Sequence, residues 1–185
     1  VKRARQLGAN VVAVSDADGG THDPEGLEYR PLADHSDDTG SVTGFAENVS
    51  NAELLEMDVD FLVPAAIEEV ITSENAADIE ADAVLEIANG PTTYEADQTL
   101  YENGVEVIPG ILANAGGVTV SYYEWVQNRQ GDYWSRDEVL ERMRESMLSA
   151  YGDFRQRRDE REVRGRIAAY EVAVERLVEA MKYRG

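Results

Sequence analysis

Apolar residues in this chain come first as short continuous runs and later as long helical stripes. Val11-Val12-Ala13-Val14, closing on Ser15-Asp16, is the first run. Its unbroken, β-branched character predicts a buried parallel strand. Asp60 to Ala66, Ala83 to Ala88 and Val105 to Ile108 repeat the pattern. Helices are predicted between these strands: Asn51 to Met57, opened by Ser50 or Asn51; roughly Ser73 to Ile79; and Tyr94 to Asn103, stopped by Gly104. Asp16 to Gly26 is acidic and glycine-rich and reads as a loop, and Asn89-Gly90-Pro91 breaks the third strand. Strands alternating with short helical crossovers predict an α/β fold built on an open, doubly wound, mostly parallel sheet.

Past Asn114 the pattern is helical throughout. Val139, Leu140, Met143, Met147, Ala150, Tyr151 and Phe154 repeat at three- and four-residue spacing, as do Ile167, Tyr170, Val174, Leu177, Val178 and Met181. Both stripes are expected to pack in the core. Arg155 to Arg166 is arginine-rich but interleaved with Asp159, Glu160 and Glu162, which predicts a solvated, salt-paired helix face. At the other end, Val1 to Ala9 has the look of a helix end without its start. The expectation is a βαβ unit entered midway, with its first strand and glycine-rich phosphate loop upstream of Val1. No GxGxxG occurs among the 185 residues.

Composition narrows the classes. Hydrophobic content is 43%, ordinary for a folded protein, so the formal charge of −20 does not signal disorder. Only Lys2 and Lys182 are lysines. A carboxylate-dense surface repels nucleic acid and anionic membrane, and neither is expected as a partner. Of the two readings of the acidity, an ordinary acidic enzyme or adaptation to a salt-rich cytoplasm, the second is preferred. At molar salt, surface repulsion is screened beyond about 3 Å. The absence of cysteine removes disulfides, zinc thiolate sites and thiol nucleophiles. No apolar run approaches the roughly 18 residues that span a bilayer, and a cytoplasmic location is expected.

In open α/β sheets, ligands sit beyond the carboxyl ends of the strands. Four stretches fall there. Asp16 ends the first strand, where a carboxylate can accept from ribose hydroxyls, with Asp18 as a rival. Ala65 and Ala66, after Pro64, let backbone approach a flat ligand. Asn89 tolerates left-handed backbone and can bridge loop to ligand. Asn114 precedes Gly116-Gly117 at a helix start, where close backbone approach is possible. Asp16-Ala17-Asp18-Gly19 does not keep calcium-loop spacing, so no metal is expected. His22 and His35 share no ligand spacing and are expected to face solvent, and Ser121 has no neighbouring histidine to make it a nucleophile.

Several stretches together resemble the C-terminal domain of the glutamate dehydrogenases, within the Glu/Leu/Phe/Val amino-acid dehydrogenase family. They are VVAVSDADG from Val11, Thr39-Gly40-Ser41-Val42, DFLVPAA from Asp60, ANGPTT from Ala88, VIPGILANAGGVTVSYYEWVQN from Val107, and the ending from Ala168 to Gly185. The resemblance implies a Rossmann-like domain, with residues 1–113 its partial dinucleotide-binding part and 114–185 a helical C-terminal part returning to an interdomain hinge. It implies NAD or NADP as cofactor and interconversion of L-glutamate and 2-oxoglutarate. Asp16 would lie near the adenosine ribose, Ala65, Ala66, Asn89 and Asn114 near the nicotinamide and its ribose. Val118 would pack on the substrate carbon chain, and Ser121 would hydrogen-bond its distal carboxylate. The catalytic lysines and carboxylate would belong to an N-terminal domain outside these residues, so the fragment alone is expected to be inactive. A homo-oligomer, a hexamer in this family, is also implied. Two departures stand out: Gly110 where the family usually has Asp, removing a helix-capping carboxylate, and Ile87 where it usually has Gly. Alternatives are a leucine, phenylalanine or valine dehydrogenase, or a non-catalytic nucleotide-sensing domain.

Overall fold

A short helix, α1 (Lys2–Gln6), leads into β1 (Ala13–Asp16), which turns back on β2 (Gly19–His22) with Asp16 opposite Gly19. The computed structural model describes residues 1–184; Gly185, the last residue of the resembling stretch, lies outside the described residues. Two compact units form, one from Val1–Met57 and one from Asp58 onward. In the first, β3 (Glu47–Val49) pairs with β2, giving an antiparallel sheet in the order β1-β2-β3. The apolar run before Asp16 is therefore not a buried parallel strand. Its residues are half-buried and Ser15 is exposed.

The reason is local. The Asp16 carboxylate accepts the Asp18 N–H at 2.9 Å, closing an Asx turn, and Gly19 takes a φ of 138° that side chains rarely adopt. The stretch expected to be a loop is thus the second arm of a hairpin. Gly20 has to be small there, because a Cβ would lie 2.9 Å from Val49 Cγ2. Helix α2 (Tyr29–Thr39) carries Pro31 in its first turn, where the missing N–H has no partner to lose. Leu27 and Leu32 fill the small core of this unit. Helix α3 (Asn51–Leu55) starts as predicted, with Ser50 as N-cap in a reciprocal capping box with Glu53.

The second unit holds the α/β architecture that the alternation predicts. Strands β4 (Phe61–Leu62), β5 (Ala83–Leu85) and β6 (Glu106–Ile108) are parallel in that order. Leu62 sits beside Val84, and Val84 beside Val107. The β4–β5 crossover contains only a 3-10 turn, Ala76–Asp78, in place of the longer helix expected from Ser73. Helix α4 (Tyr94–Glu102) forms the β5–β6 crossover, capped by the Thr93 hydroxyl. Val84, Ile71, Ala76, Ala96 and Leu100 are fully enclosed and form the core under the sheet.

After β6 come a one-turn helix, α5 (Gly110–Ala113), then α6 (Gly116–Gln130), α7 (Arg136–Arg161) and α8 (Gly165–Arg184). Gly131 ends α6 in the left-handed conformation, and Ser135 caps α7. Phe154 is the one fully buried member of the first apolar stripe, against Ala168 and Ala169; Val139, Met143, Met147, Ala150 and Tyr151 are half-buried and Leu140 is exposed. The second stripe departs further from a core role. Tyr170, Val174, Leu177, Val178 and Met181 are exposed, Met181 by 71%. Among the described residues no element covers that face, so only the first turns of α8 contribute to the core.

Candidate functional site

The exits of the three parallel strands are tied together mainly by backbone. The Pro64 carbonyl, just past β4, accepts both the Ile87 N–H at 3.1 Å and the Ala88 N–H at 3.0 Å, just past β5. Farther along, Glu69 N–H donates to the Gly90 carbonyl and Ile71 N–H to the Pro91 carbonyl, each at 2.9 Å. Ala65 and Ala66 are exposed on this edge. The loop after β6 joins through a side chain: Asn114 Nδ2 donates to Asn89 Oδ1 at 2.9 Å and reaches the Ile87 carbonyl at 3.4 Å.

Four of the residues picked from the sequence thus share one sheet edge. Among the described residues, the Asn89 amide N–H groups and the Asn114 amide oxygen remain free of protein partners. The pair offers both donors and an acceptor, which is the complement of a carboxamide. The Thr92 hydroxyl oxygen, in the loop with Asn89, is buried and has no hydrogen-bond partner among the described residues.

Val118 and Ser121 follow on α6, three residues apart and so on neighbouring positions of one helix face. Both are exposed, Val118 by 69%. Space is open above Gly117, where a Cβ would meet nothing within 4 Å.

Asp16 lies in the first unit, on the antiparallel sheet and not on the edge just described. Its carboxylate accepts the Val42 N–H at 2.8 Å, the Asp18 N–H at 2.9 Å and the Ser41 hydroxyl at 3.2 Å. The Val42 and then the Asp18 N–H hold its carboxyl below the ordinary aspartate value. Asp16 thereby fastens the Thr39 to Val42 segment to the hairpin turn. Neither histidine is the exposed residue expected: His35 Nε2 lies 2.8 Å from the Thr43 carbonyl with its ring against Phe45, and His22 is half-buried near Glu47.

Comparison with known proteins gives the chain a family. Over residues 1–185 the sequence matches the Glutamate/Leucine/Phenylalanine/Valine dehydrogenases. The chain belongs to that family. It is 51% identical over 180 residues to the NAD-specific glutamate dehydrogenase of Staphylococcus aureus strain COL, covering 97% of this chain and 44% of that protein. To the cryptic catabolic NAD-specific glutamate dehydrogenase of Bacillus subtilis it is 49% identical, covering 100% of this chain and 43% of that one. The crystal structure of the hetero-hexameric glutamate dehydrogenase of Thermus thermophilus, in its Leu-bound form, superposes with a TM-score of 0.89 at 33% identity, over 100% of this chain and 44% of that one. The chain thus spans less than half the length of these relatives.

In this member of the dehydrogenase family, the residues that the sequence reading missed lie behind the site. Glu86 is fully buried, with Oε2 accepting the Gly110 N–H at 2.8 Å. Arg166 grips Glu86 through both terminal nitrogens, at 2.6 and 3.3 Å. Its Nε donates to Asp97 at 3.1 Å, and Arg164 donates to the other Asp97 oxygen at 3.0 Å. Burial pushes the Asp97 carboxyl above its ordinary value, against the pull of Arg166 and then Arg164. So the arginine-rich stretch is not uniformly a solvated face. Arg157, Arg158 and Arg161 pair with acidic residues near the surface, but Arg164 and Arg166 turn inward. The Gly110 departure also reads differently: the capping carboxylate comes from Glu86. A Cβ on residue 110 would stand only 3.0 Å from the Ala88 carbonyl oxygen. Ile87 contributes its backbone to the edge and leaves its side chain 41% exposed. One sequence signal was available: Glu86 is an acidic residue inside the otherwise apolar run from Ala83 to Ala88.

Proposed function

We propose that this chain is the cofactor-binding part of an NAD-dependent glutamate dehydrogenase, converting L-glutamate, water and oxidised dinucleotide to 2-oxoglutarate, ammonia and reduced dinucleotide. The observation that carries the reading is the Asn89–Asn114 pair at the carboxyl edge of a parallel sheet. Its free amide N–H groups and amide oxygen match the carboxamide of a nicotinamide, and Ala65 and Ala66 leave room for a flat ring. In the first unit, taken by itself, the Asp16 carboxylate is proposed to accept from ribose hydroxyls beside the three protein donors it already holds. A nicotinamide held by Asn89 and Asn114 would supply the acceptor for hydride from the substrate α-carbon. NAD is preferred to NADP because both curated relatives are named NAD-specific.

Val118 supplies apolar contact for a carbon chain, and the Ser121 hydroxyl is a donor for the distal carboxylate of a dicarboxylic amino acid. A dehydrogenase for leucine or phenylalanine would need an apolar group there, because a buried hydroxyl without a partner is penalised. In the natural full-length protein, Ser121→Ala is expected to raise the KM for glutamate by about 10- to 100-fold, the worth of one hydrogen bond to a charged group. Steady-state kinetics with glutamate, leucine and phenylalanine measures this. Faster turnover of leucine or phenylalanine by the unmodified protein would overturn the glutamate reading.

The chain's surroundings follow from its charge. A net charge of −20 suits a salt-rich cytoplasm. Its melting temperature is expected to climb as KCl rises from about 0.1 M to molar levels, since carboxylate repulsion is screened over a shortening distance. Circular dichroism melts across a KCl series test this, and a flat or falling series would remove salt adaptation. The assembly is inferred to be homo-oligomeric; the Thermus relative is named a hetero-hexamer, which supports six subunits but not their identity.

A further inference from the structure

The geometry points to Arg166 as a positioning residue for the nicotinamide end of the cofactor, acting through Glu86 and helix α5; this rests on the cofactor reading above. Helix α5 has four residues, and its N-cap, Pro109, makes no side-chain capping bond. One helical turn does not hold itself, because nucleation fixes several dihedrals for a single hydrogen bond. Its position is therefore set from outside. Glu86 does this by accepting the first free N–H of the turn, that of Gly110, at 2.8 Å. A carboxylate at a helix N-terminus is the favoured partner there. At the other end of the same turn stands Asn114, the C-cap, whose amide reaches Asn89.

Glu86 depends in turn on Arg166. Its side chain is 1% exposed, and a carboxylate so enclosed requires a paired cation. Arg166 supplies it bidentately, a fork that fixes the carboxylate plane as well as its charge. Asp97 and Arg164 then hold the fork from behind, with Arg164 also donating to the Tyr94 hydroxyl at 3.0 Å. The order of dependence runs from Arg166 to Glu86, to the Gly110 N–H, to the one-turn helix, and last to Asn114. None of Arg166, Glu86 and Asp97 needs to touch the ligand.

The test compares unmodified full-length protein with Arg166→Met and with the near-isosteric Glu86→Gln. Three quantities are read: amide hydrogen exchange from Gly110 to Asn114 without ligand, the Kd for NADH, and the Kd for ADP-ribose, which lacks the nicotinamide. Arg166→Met is expected to speed exchange across Gly110 to Asn114. It should weaken NADH about tenfold, one correctly placed hydrogen bond, and leave ADP-ribose within about twofold. Glu86→Gln should move the same quantities in the same direction by a smaller factor, and it decides the matter if Arg166→Met does not fold. Unchanged exchange, or equal losses for NADH and ADP-ribose, overturns the positioning role. An unmodified protein that binds neither ligand instead overturns the cofactor reading on which the role rests.

Discussion

Phe154→Ala is expected to cost about 3–5 kcal/mol of folding free energy, the largest single loss among the substitutions considered. The ring is 1% exposed and sits among Ala168, Ala169, Leu112, Tyr151 and Val163. Its nearest aromatic neighbour is Tyr151, with ring centroids 5.8 Å apart, and the Arg158 guanidinium lies 5.9 Å from its face. Two of the surrounding residues are alanines on α8, which have no longer side chain to swing into the space. The cavity therefore stays open, and the cost should fall toward the upper part of the range. Urea unfolding of the variant beside the unmodified protein measures it. A loss below about 1.5 kcal/mol would mean that α7 and α8 close over the gap, contrary to this packing.

The second large effect is at Gly165, the first residue of α8. A Cβ built there falls on the Val107 carbonyl oxygen, well inside contact distance, and also meets the Phe154 ring at 3.3 Å. The carbonyl belongs to β6 and is not free to move aside. Gly165→Ala is expected to destabilise by about 3 kcal/mol, at the top of the usual overpacking range. Because Arg164 and Arg166 flank this residue, their hold on Asp97 and Glu86 should loosen as well. A melting temperature within a degree of the unmodified protein would show that α8 can step back without cost.

Elements with a strong local signal were legible in the sequence. Ser50, with Glu53 three residues on, announces α3; Gly104 announces the end of α4; and the apolar runs at Leu62, Val84 and Val107 do form parallel strands. The first apolar run misled for a definable reason. Val11 to Val14 carries no information on what lies beside it, and the Asx turn at Asp16 sends the chain back antiparallel. Helix α2 was missed because Leu32 is its only buried residue and Pro31 reads as a breaker. The stripe from Tyr170 to Met181 has the period of a core helix, yet periodicity reports a face and not what covers it.

The candidate site divides in the same way. Asn89 and Asn114 could be anticipated, since each follows a strand of the sheet, and the structure joins them directly. The Glu86–Arg166 pair could not, because 80 residues separate its members and no local spacing links them. Long-range charge pairing becomes visible only once the sheet has brought β5 against the start of α8.

The stitching of the strand exits has a consequence for how this edge accepts change. Pro64, Gly90 and Pro91 act through their carbonyls, and Glu69, Ile71, Ile87 and Ala88 through their N–H groups. Such bonds are indifferent to which side chain a position carries but strict about how many positions there are. The stretch from Ala65 to Gly90 should thus be permissive toward most point substitutions at its exposed residues, Ile87 among them. Gaining or losing a single residue between Pro64 and Glu69 would shift every partner at once. Proline would be barred from 69, 71, 87 and 88, where the N–H itself is in use. For variants and relatives alike, length along this edge carries more meaning than spelling.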